Sequence, residues 1–188
     1  MTDHFPVLFV PGAGNPRHPQ GSAHLAAYLA RELSDAYDVR APVMPNFDDP
    51  DYQSWRDTIE AQLGELGPNP IVVGHSFGAS VLLKLLAEGT YTEPIAGLFL
   101  VSTPFWGSSF PDFALPDDFA AAVSDVPTFL YHSRNDPEIP LSHLRRYQEH
   151  LPNATSRVIE GSEHSFVNGL PELVRDIQDF SSISSNTG

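Results

Sequence analysis

Short apolar runs of strand length alternate with helical stripes along nearly the whole of this sequence. Four of these runs directly follow a proline. They begin at Val7, Ile71, Ile95 and Thr128. Proline at the first position of a strand loses no ladder hydrogen bond, which is where strands tolerate it. Two further runs, at 38–43 and 156–159, bring the number of predicted strands to six.

Between the strands, apolar residues recur at helical spacing. The stripes are Leu25, Tyr28, Leu29 and Leu33; Trp55, Ile59, Leu63 and Leu66; Leu141, Leu144, Tyr147 and Leu151; and Leu173, Val174, Ile177 and Phe180. The stretch 81–86 is apolar nearly all round, which is typical of a buried helix. Strands this apolar need cover on both faces, and strand–helix alternation gives right-handed crossovers. The sequence therefore predicts an α/β fold, a three-layer sandwich around a mostly parallel sheet of about six strands.

The length bounds the domain organisation. With 188 residues, the chain has the size of one domain. We expect a single domain over residues 1–180. The serine-rich stretch 181–188 has too little apolar surface to order itself, and it is predicted to be a flexible C-terminal tail.

Charge and cysteine content exclude several classes of function. Asp and Glu number 24 against 10 Lys and Arg, a net charge of −14. Such a chain repels nucleic-acid phosphates and anionic membrane surfaces. It has no cysteine, and so no disulfide, thiolate metal site or cysteine nucleophile. With no apolar run of membrane-spanning length and no signal-like N-terminus, we expect a cytoplasmic monomer acting on a small molecule.

The motif with most chemical content is Gly74-His75-Ser76-Phe77-Gly78, between the third predicted strand and the buried helix. This is the G-x-S-x-G pattern of a nucleophile elbow in its strand–turn–helix context. So sharp a turn leaves no room for a Cβ at the flanking glycines. The turn would hold the Ser76 hydroxyl above the C-terminal edge of the sheet. There the Phe77 N–H, at a helix N-terminus, would face a developing oxyanion.

A serine nucleophile needs a base, and the base needs an orienting acid. Asp136 lies in the loop after the fifth predicted strand, and His164 lies in the loop after the sixth. Both loops reach the sheet edge that carries Ser76, where parallel sheets gather their sites. Asp136 is the preferred acid. Three carboxylates after the fourth strand remain alternatives: Asp112, Asp117 and Asp118.

The other histidines fit the role of base less well. His143 and His150 lie on an amphipathic stripe, and His75 adjoins the serine but points away from its hydroxyl. His132 ends a strand, where we expect a structural role with a contact to the acid loop. His164 is therefore the predicted base.

Glycines and aromatic residues outline the rest of the predicted site. The loop after the first strand, 11–15, should supply the second oxyanion donor; the Ala13 N–H is preferred and the Gly14 N–H is the alternative. The aromatic segment 103–126 is too short for a lid domain. We expect most of its rings to pack onto the sheet. The predicted pocket residues are Gly12, Phe105, Trp106 and Phe166.

These segments resemble a known family. The matching stretches are 9–14, 44–47, 73–79, 100–102, 135–140 and 161–166, together with Trp55. They identify the chain as similar to compact α/β-hydrolases, and most closely to the small serine hydrolases related to retinoblastoma-binding protein 9. The resemblance implies a sheet lacking the first two strands of larger hydrolases and a triad of Ser76, Asp136 and His164. The retinoblastoma-binding L-x-C-x-E motif cannot exist here, because the chain has no cysteine.

The sequence thus predicts a serine hydrolase, carboxylesterase-like, that cleaves a small or medium acyl ester, or an amide or peptide-like bond, through an acyl-enzyme. The mechanism implies no metal and no cofactor. Two alternatives remain: an acyltransferase with the same triad, and a binding protein that kept the fold without turnover.

Overall fold

The computed structural model describes residues 4–107 and 110–185, and its centre is a six-stranded sheet. The strands are β1 (Phe5–Val10), β2 (Tyr37–Arg40), β3 (Ile71–His75), β4 (Gly97–Val101), β5 (Thr128–Ser133) and β6 (Thr155–Ile159). The α-helices in this part of the chain are α1 (Ala23–Leu33), α2 (Tyr52–Leu66), α3 (Ser76–Glu88), α4 (Phe119–Ala122), α5 (Ser142–His150) and α6 (Pro171–Ser185). A short 3₁₀ turn, Ser34–Ala36, joins α1 to β2.

The strand order is β2-β1-β3-β4-β5-β6, and every neighbouring pair is parallel. The predicted fold class is therefore confirmed, with a sheet that is parallel throughout the described residues. The central strands β3 and β4 are buried along their whole length. All six strands point their carboxyl ends at one edge, so the loops that leave this edge converge.

Side chains that alternate along the strands build two apolar clusters, one on each face of the sheet. In β1, Leu8 and Val10 face the cluster with α2 and α3, whereas Val7 and Phe9 face the cluster with α1 and α6. Trp55 is fully buried in the first cluster, and Phe99 is fully buried in the second. This double cover explains the continuous apolar runs that the sequence shows.

Three strand boundaries differ from the prediction by two residues or more. β1 begins at Phe5 rather than Val7, so Pro6 lies inside the strand. β4 begins at Gly97 rather than Ile95, and β2 ends at Arg40 rather than Val43, whose side chain is exposed. The segment after β2 leaves the sheet because its backbone is used elsewhere. The Pro45 carbonyl accepts the Trp55 Nε1–H at 2.8 Å, and the Phe47 carbonyl accepts the Gly14 N–H at 2.6 Å.

The chain end is more regular than the sequence predicts. α6 continues to Ser185, so the first residues of the predicted tail 181–188 are helical. Ser181 is buried, and its hydroxyl donates to the Ile177 carbonyl at 2.8 Å, which satisfies a polar side chain inside the helix. Residues 186–188 lie outside the described part of the chain. Within that part, no helix is long and apolar enough to cross a membrane.

The segment between β4 and β5 is fastened to the helices beneath it. Trp106 Nε1 donates to Ser80 Oγ, and Lys84 Nζ donates to the Asp112 carbonyl, both at 2.8 Å. Lys84 is nearly buried, and its ammonium lies 4.5 Å from the centroid of the Tyr52 ring. The only α-helix that this segment contributes to the described residues is the four-residue α4, and no lid domain covers the sheet edge there.

Close packing explains why two positions of the β3–α3 turn are glycine. A Cβ on Gly74 would lie 2.6 Å from Ala79 Cα. A Cβ on Gly78 would lie 2.1 Å from the Pro11 carbonyl oxygen and 2.8 Å from Val10 Cγ1. The absence of a side chain at Gly74 therefore lets α3 pack against β3, and its absence at Gly78 lets α3 approach the end of β1.

This contact predicts opposite effects for two glycine substitutions. Gly78→Ala should lower the free energy of unfolding by about 2–3 kcal/mol, the upper part of the range for overpacked cores, because the backbone of β1 or α3 must move. Gly64→Ala in α2 should raise it by about 0.5–1 kcal/mol, because a Cβ there meets nothing within 4 Å and alanine favours helix. Urea unfolding followed by circular dichroism measures both; equal stability of the two variants would refute the packing argument.

Candidate active site

Ser76 lies at the junction of β3 and α3, in a conformation that L-residues rarely adopt. Its φ is 49°, and it is the first residue of α3. The strain of a positive φ is tolerated where surrounding structure fixes the backbone, here at Gly74 and Gly78. The turn leaves the Ser76 side chain partly exposed at the helix N-terminus.

A chain of hydrogen bonds joins Ser76 to a buried carboxylate. The Ser76 hydroxyl lies 2.9 Å from His164 Nε2. On the other side of the ring, His164 Nδ1 lies 2.9 Å and 3.1 Å from the two carboxylate oxygens of Asp136. A carboxylate only accepts, so in the neutral form of the ring Nδ1 carries the proton and Nε2 accepts from the hydroxyl. In this order, the imidazole can take the hydroxyl proton while the carboxylate orients the ring and remains ionised.

Asp136 is held ionised by its surroundings. Its side chain is fully buried, and the N–H groups of Glu138 and Ile139 both donate to Oδ1 at 2.9 Å. Burial alone would raise the pKa of Asp136, but the hydrogen bonds from His164 and these two amides outweigh it and hold the pKa below its usual value. The sequence left three other carboxylates open for this position. These three carboxylates are exposed on the segment between β4 and β5, whereas the Asp136 carboxylate is hydrogen-bonded to His164 Nδ1.

The acid and base loops are bonded to each other. The backbone N–H groups of Arg134 and Asn135 donate to the carbonyls of Ile159 and Gly161 at 2.8 and 3.0 Å. Ser133 Oγ donates to the Glu163 carbonyl at 2.5 Å. The two loops after β5 and β6 therefore position Asp136 and His164 as one unit.

The remaining predicted alternatives for the base have other partners. His132 Nε2 lies 2.7 Å from the Ile139 carbonyl and 3.8 Å from Asp136, which agrees with the expected contact to the acid loop. His143 Nδ1 accepts the Phe105 N–H at 2.8 Å, and His150 stacks on the Phe105 ring. His164 alone among these rings reaches the Ser76 hydroxyl.

His75 has a role that sequence reasoning missed. It is buried, its Nδ1 lies 2.9 Å from Ser22 Oγ, and its Nε2 lies 3.0 Å from the His164 carbonyl. Burial, together with the nearby imidazole of His164, lowers the pKa of His75 to about 4, so its ring is neutral near pH 7. No local pattern signals the contact with Ser22, because the two residues are 53 positions apart.

The two residues that carry the predicted oxyanion donors border the cleft. Ala13, on the loop after β1, and Phe77, at the start of α3, both line the cleft beside Ser76. The amides on either side of Ala13 are engaged: the Gly12 N–H donates to Ser22 Oγ, and the Gly14 N–H donates to the Phe47 carbonyl. This removes Gly14, the alternative donor, and leaves Ala13 as the candidate on that loop.

The cleft around Ser76 has a volume of about 530 Å³. Gly12 and Trp106 line it, as expected from the sequence. Two predicted pocket residues do not. Phe166 is buried in the apolar cluster with α1 and α6, and its backbone has a positive φ of 47°. Phe105 packs against Tyr147 and His150 and borders a different groove.

The sequence also missed Glu138, which lines the cleft mouth. Its Oε2 lies 3.6 Å from His164 Nε2, and its side chain is 61% exposed. Among the described residues that line the cleft, Glu138 is the only Asp, Glu, Lys or Arg. In the same described part of the chain, no group of three His, Asp or Glu side chains is arranged to hold a metal ion.

Burial of His75 predicts an acid-dependent stability. Its pKa is about 4 in the folded protein against 6.5 for the free side chain. Between pH 4 and pH 6.5 the unfolded chain therefore binds a proton at His75 that the folded chain does not bind. Stability is therefore lost as pH falls through this window, by about 2 kcal/mol between pH 7 and 5 for this group. Urea unfolding of wild type and His75→Gln at both pH values measures the loss.

The glutamine variant should show a flatter dependence on pH, although not a flat one. Burial also lowers the pKa values of His132 and His143, which act in the same direction. An identical pH dependence in wild type and variant would contradict a buried neutral His75.

Comparison with known proteins identifies hydrolases that are similar in sequence and fold. By sequence, the chain is 24% identical over 151 residues to the YdeN protein of Bacillus subtilis (strain 168), which is named as a hydrolase; the match covers 76% of this chain and 78% of that protein. The crystal structure of YdeN superposes with a TM-score of 0.78 at 19% identity, over 95% of this chain and 99% of that chain.

Two further structures share the fold. The meta-cleavage product hydrolase CumD from Pseudomonas fluorescens IP01 has a TM-score of 0.77 at 15% identity, over 98% of this chain and 93% of that chain. A carboxylesterase from Nitrososphaera gargenis has a TM-score of 0.73 at 13% identity, over 100% and 93%. The model of the Alpha/beta hydrolase family matches residues 7–137, from β1 to the candidate acid. The chain therefore belongs to the alpha/beta hydrolase family.

Proposed function

We propose that this chain is a serine hydrolase that cleaves a small or medium acyl ester through an acyl-enzyme. The observation that carries the proposal is the continuous hydrogen-bonded chain from buried Asp136 through His164 to Ser76, which ends in an open cleft. A hydroxyl bonded to a neutral imidazole is activated for attack, and an orienting carboxylate stabilises the imidazolium that forms.

In acylation, Ser76 Oγ bonds to the substrate carbonyl carbon while its proton passes to His164 Nε2. The carbonyl oxygen becomes an oxyanion, for which the Ala13 and Phe77 N–H groups are the proposed donors. When the tetrahedral intermediate collapses, the bond to the leaving group breaks, and the leaving oxygen takes the proton from Nε2. Water repeats the same steps on the acyl-enzyme and releases the acid.

We also propose the finer relationship to the small serine hydrolases related to retinoblastoma-binding protein 9. The motifs quoted from the sequence support it. An ester substrate is favoured over an amide, because amides need more help at the leaving group, and an exposed cleft with a single carboxylate at its mouth offers little. Among the proteins of similar fold, one is named a carboxylesterase, which agrees with this choice.

Fluorophosphonate labelling read by intact mass tests the mechanism. Wild type should take one adduct, located on Ser76 by peptide mapping. Ser76→Ala and His164→Ala should take none, and Asp136→Asn should label with kcat/KM for ester hydrolysis reduced about 10³- to 10⁴-fold, because its imidazole loses the correct tautomer. Asp112→Asn removes the same charge from an exposed residue of the β4–β5 segment and should retain wild-type rates.

Failure of folded wild type to react would refute the hydrolase mechanism and favour the binding-protein alternative. Labelling without ester hydrolysis, followed by turnover when alcohol or amine acceptors are added, would favour the acyltransferase. Product analysis in the presence of added acceptors separates water from other nucleophiles.

The charge of Glu138 predicts which esters react fastest. A leaving group must reach His164 Nε2 to take its proton, and the Glu138 carboxylate lies 3.6 Å from that nitrogen. The carboxylate therefore faces the alcohol side of the substrate. A cation there is attracted and an anion is repelled, and the net charge of −14 adds a long-range field of the same sign.

Butyrylcholine and its uncharged isostere 3,3-dimethylbutyl butyrate form a matched pair for this prediction. At low salt, kcat/KM should favour the choline ester roughly fivefold, the size expected for one charge pair near 4 Å in water, and salt should reduce the preference. Glu138→Gln should abolish it, whereas Glu163→Gln, an equal charge change in the neighbouring loop, should not. Equal preference in both variants would contradict the assignment to Glu138.

A further inference from the structure

We propose that Ser22 and His75 are positioning residues that fix the oxyanion-binding amide of Ala13 relative to Ser76 and His164. This inference rests on the proposed hydrolase function. Its physical content is an unbroken set of hydrogen bonds that connects the loop after β1, the β3–α3 turn and the loop after β6. These three segments carry the proposed oxyanion donor, nucleophile and base.

The hydrogen bonds all run in the same direction, from the Gly12 N–H to the His164 carbonyl. The Gly12 N–H donates to Ser22 Oγ at 2.9 Å, and Ser22 Oγ lies 2.9 Å from His75 Nδ1. His75 Nε2 lies 3.0 Å from the His164 carbonyl, which can only accept. Nε2 therefore carries the proton of the neutral ring, and Nδ1 accepts from the Ser22 hydroxyl.

The Ser22–His75 pair is buried, and it is satisfied at every polar atom described above. Ser22 is 4% exposed and His75 is 2% exposed. Ser102 Oγ supplies a second hydrogen bond to the same His164 carbonyl, at 2.9 Å. Removing one member would leave a buried donor or acceptor without its partner, so the pair holds one arrangement.

Contacts around Gly12 connect this pair to the reacting atoms. A Cβ built on Gly12 would lie 3.0 Å from His75 Nδ1, 3.2 Å from Ser76 Cβ and 3.3 Å from Ser22 Oγ. The Gly12 backbone thus packs directly against the nucleophile and both positioning residues. The next N–H along the chain is that of Ala13, so a shift of the Gly12 peptide moves the amide that must meet the oxyanion.

An oxyanion donor acts more strongly in the transition state than on the bound ester, which separates this role from a general loss of structure. Ser22→Ala should lower kcat for a neutral ester about tenfold and leave KM within about twofold. Its affinity for a trifluoromethyl ketone, which forms a tetrahedral adduct with Ser76, should fall by a similar factor. Affinity for the matching alcohol, which forms no adduct, should be unchanged.

Two control variants and an active-site titration accompany these measurements. Ser22→Thr, which keeps the hydroxyl, should restore kcat, and Ser102→Ala, which removes the other hydroxyl on the His164 carbonyl, should leave ketone affinity unchanged. Fluorophosphonate titration counts active sites in each sample, so partly unfolded protein does not lower the apparent kcat. If Ser22→Ala does not fold, His75→Gln takes its place with the same expected split.

The proposal is overturned if Ser22→Ala keeps wild-type kcat and ketone affinity, or if ketone and alcohol affinities fall together. It is also overturned if Ser102→Ala reproduces the whole effect. Failure of the proposed function gives a different result, since wild type itself would then take no fluorophosphonate on Ser76.

Discussion

The approach of α3 to the end of β1 is the contact on which the site depends. Because Gly78 carries no side chain, the helix lies against the Pro11 carbonyl, and Ser76 is brought beside the loop that begins there. That loop supplies Gly12 and Ala13 to the cleft. The proposed nucleophile and the proposed oxyanion loop are thus adjacent through backbone packing rather than through side chains. The remaining groups reach the same place because parallel strands release their loops at one edge.

The fold and the hydrogen-bonded residues Ser76, Asp136 and His164 could be predicted from the sequence, because both leave local signals in it. The strands are continuous apolar runs, and Ser76 lies in a five-residue motif at a strand–helix junction. Sequence reasoning left the acid open between Asp136 and three other carboxylates, since spacing alone does not say which loop turns inward. Phe105 and Phe166, two predicted pocket residues, do not line the cleft around Ser76, because an aromatic residue near such a motif packs equally well into the core. Ser22 was missed because its partner lies 53 positions away.

Three of the five described non-glycine residues with a positive φ lie in the segments that follow β3, β4 and β6. Ser76, Ser102 and Phe166 all have φ between 47° and 49°, a region that costs non-glycine residues about 1–3 kcal/mol each. Ser102 and His75 converge on one carbonyl, that of His164. The two apolar clusters offset this strain, because each is anchored on the same strands whose ends are distorted. A rigid sheet therefore supports loops that would not hold these conformations alone.

The burial of Lys84 has a consequence for chemical probing. It is the only lysine in the chain, its ammonium is bonded to the Asp112 carbonyl over the Tyr52 ring, and the chain has no cysteine. Beyond the amino terminus, reagents that acylate amines or alkylate thiols find little to modify. For Ser76 as the proposed nucleophile, a mass shift produced by an activated acyl reagent therefore carries little background from lysine or cysteine side chains. The chain is suited to screening acyl libraries directly by mass spectrometry, with no chromogenic substrate and no labelled probe.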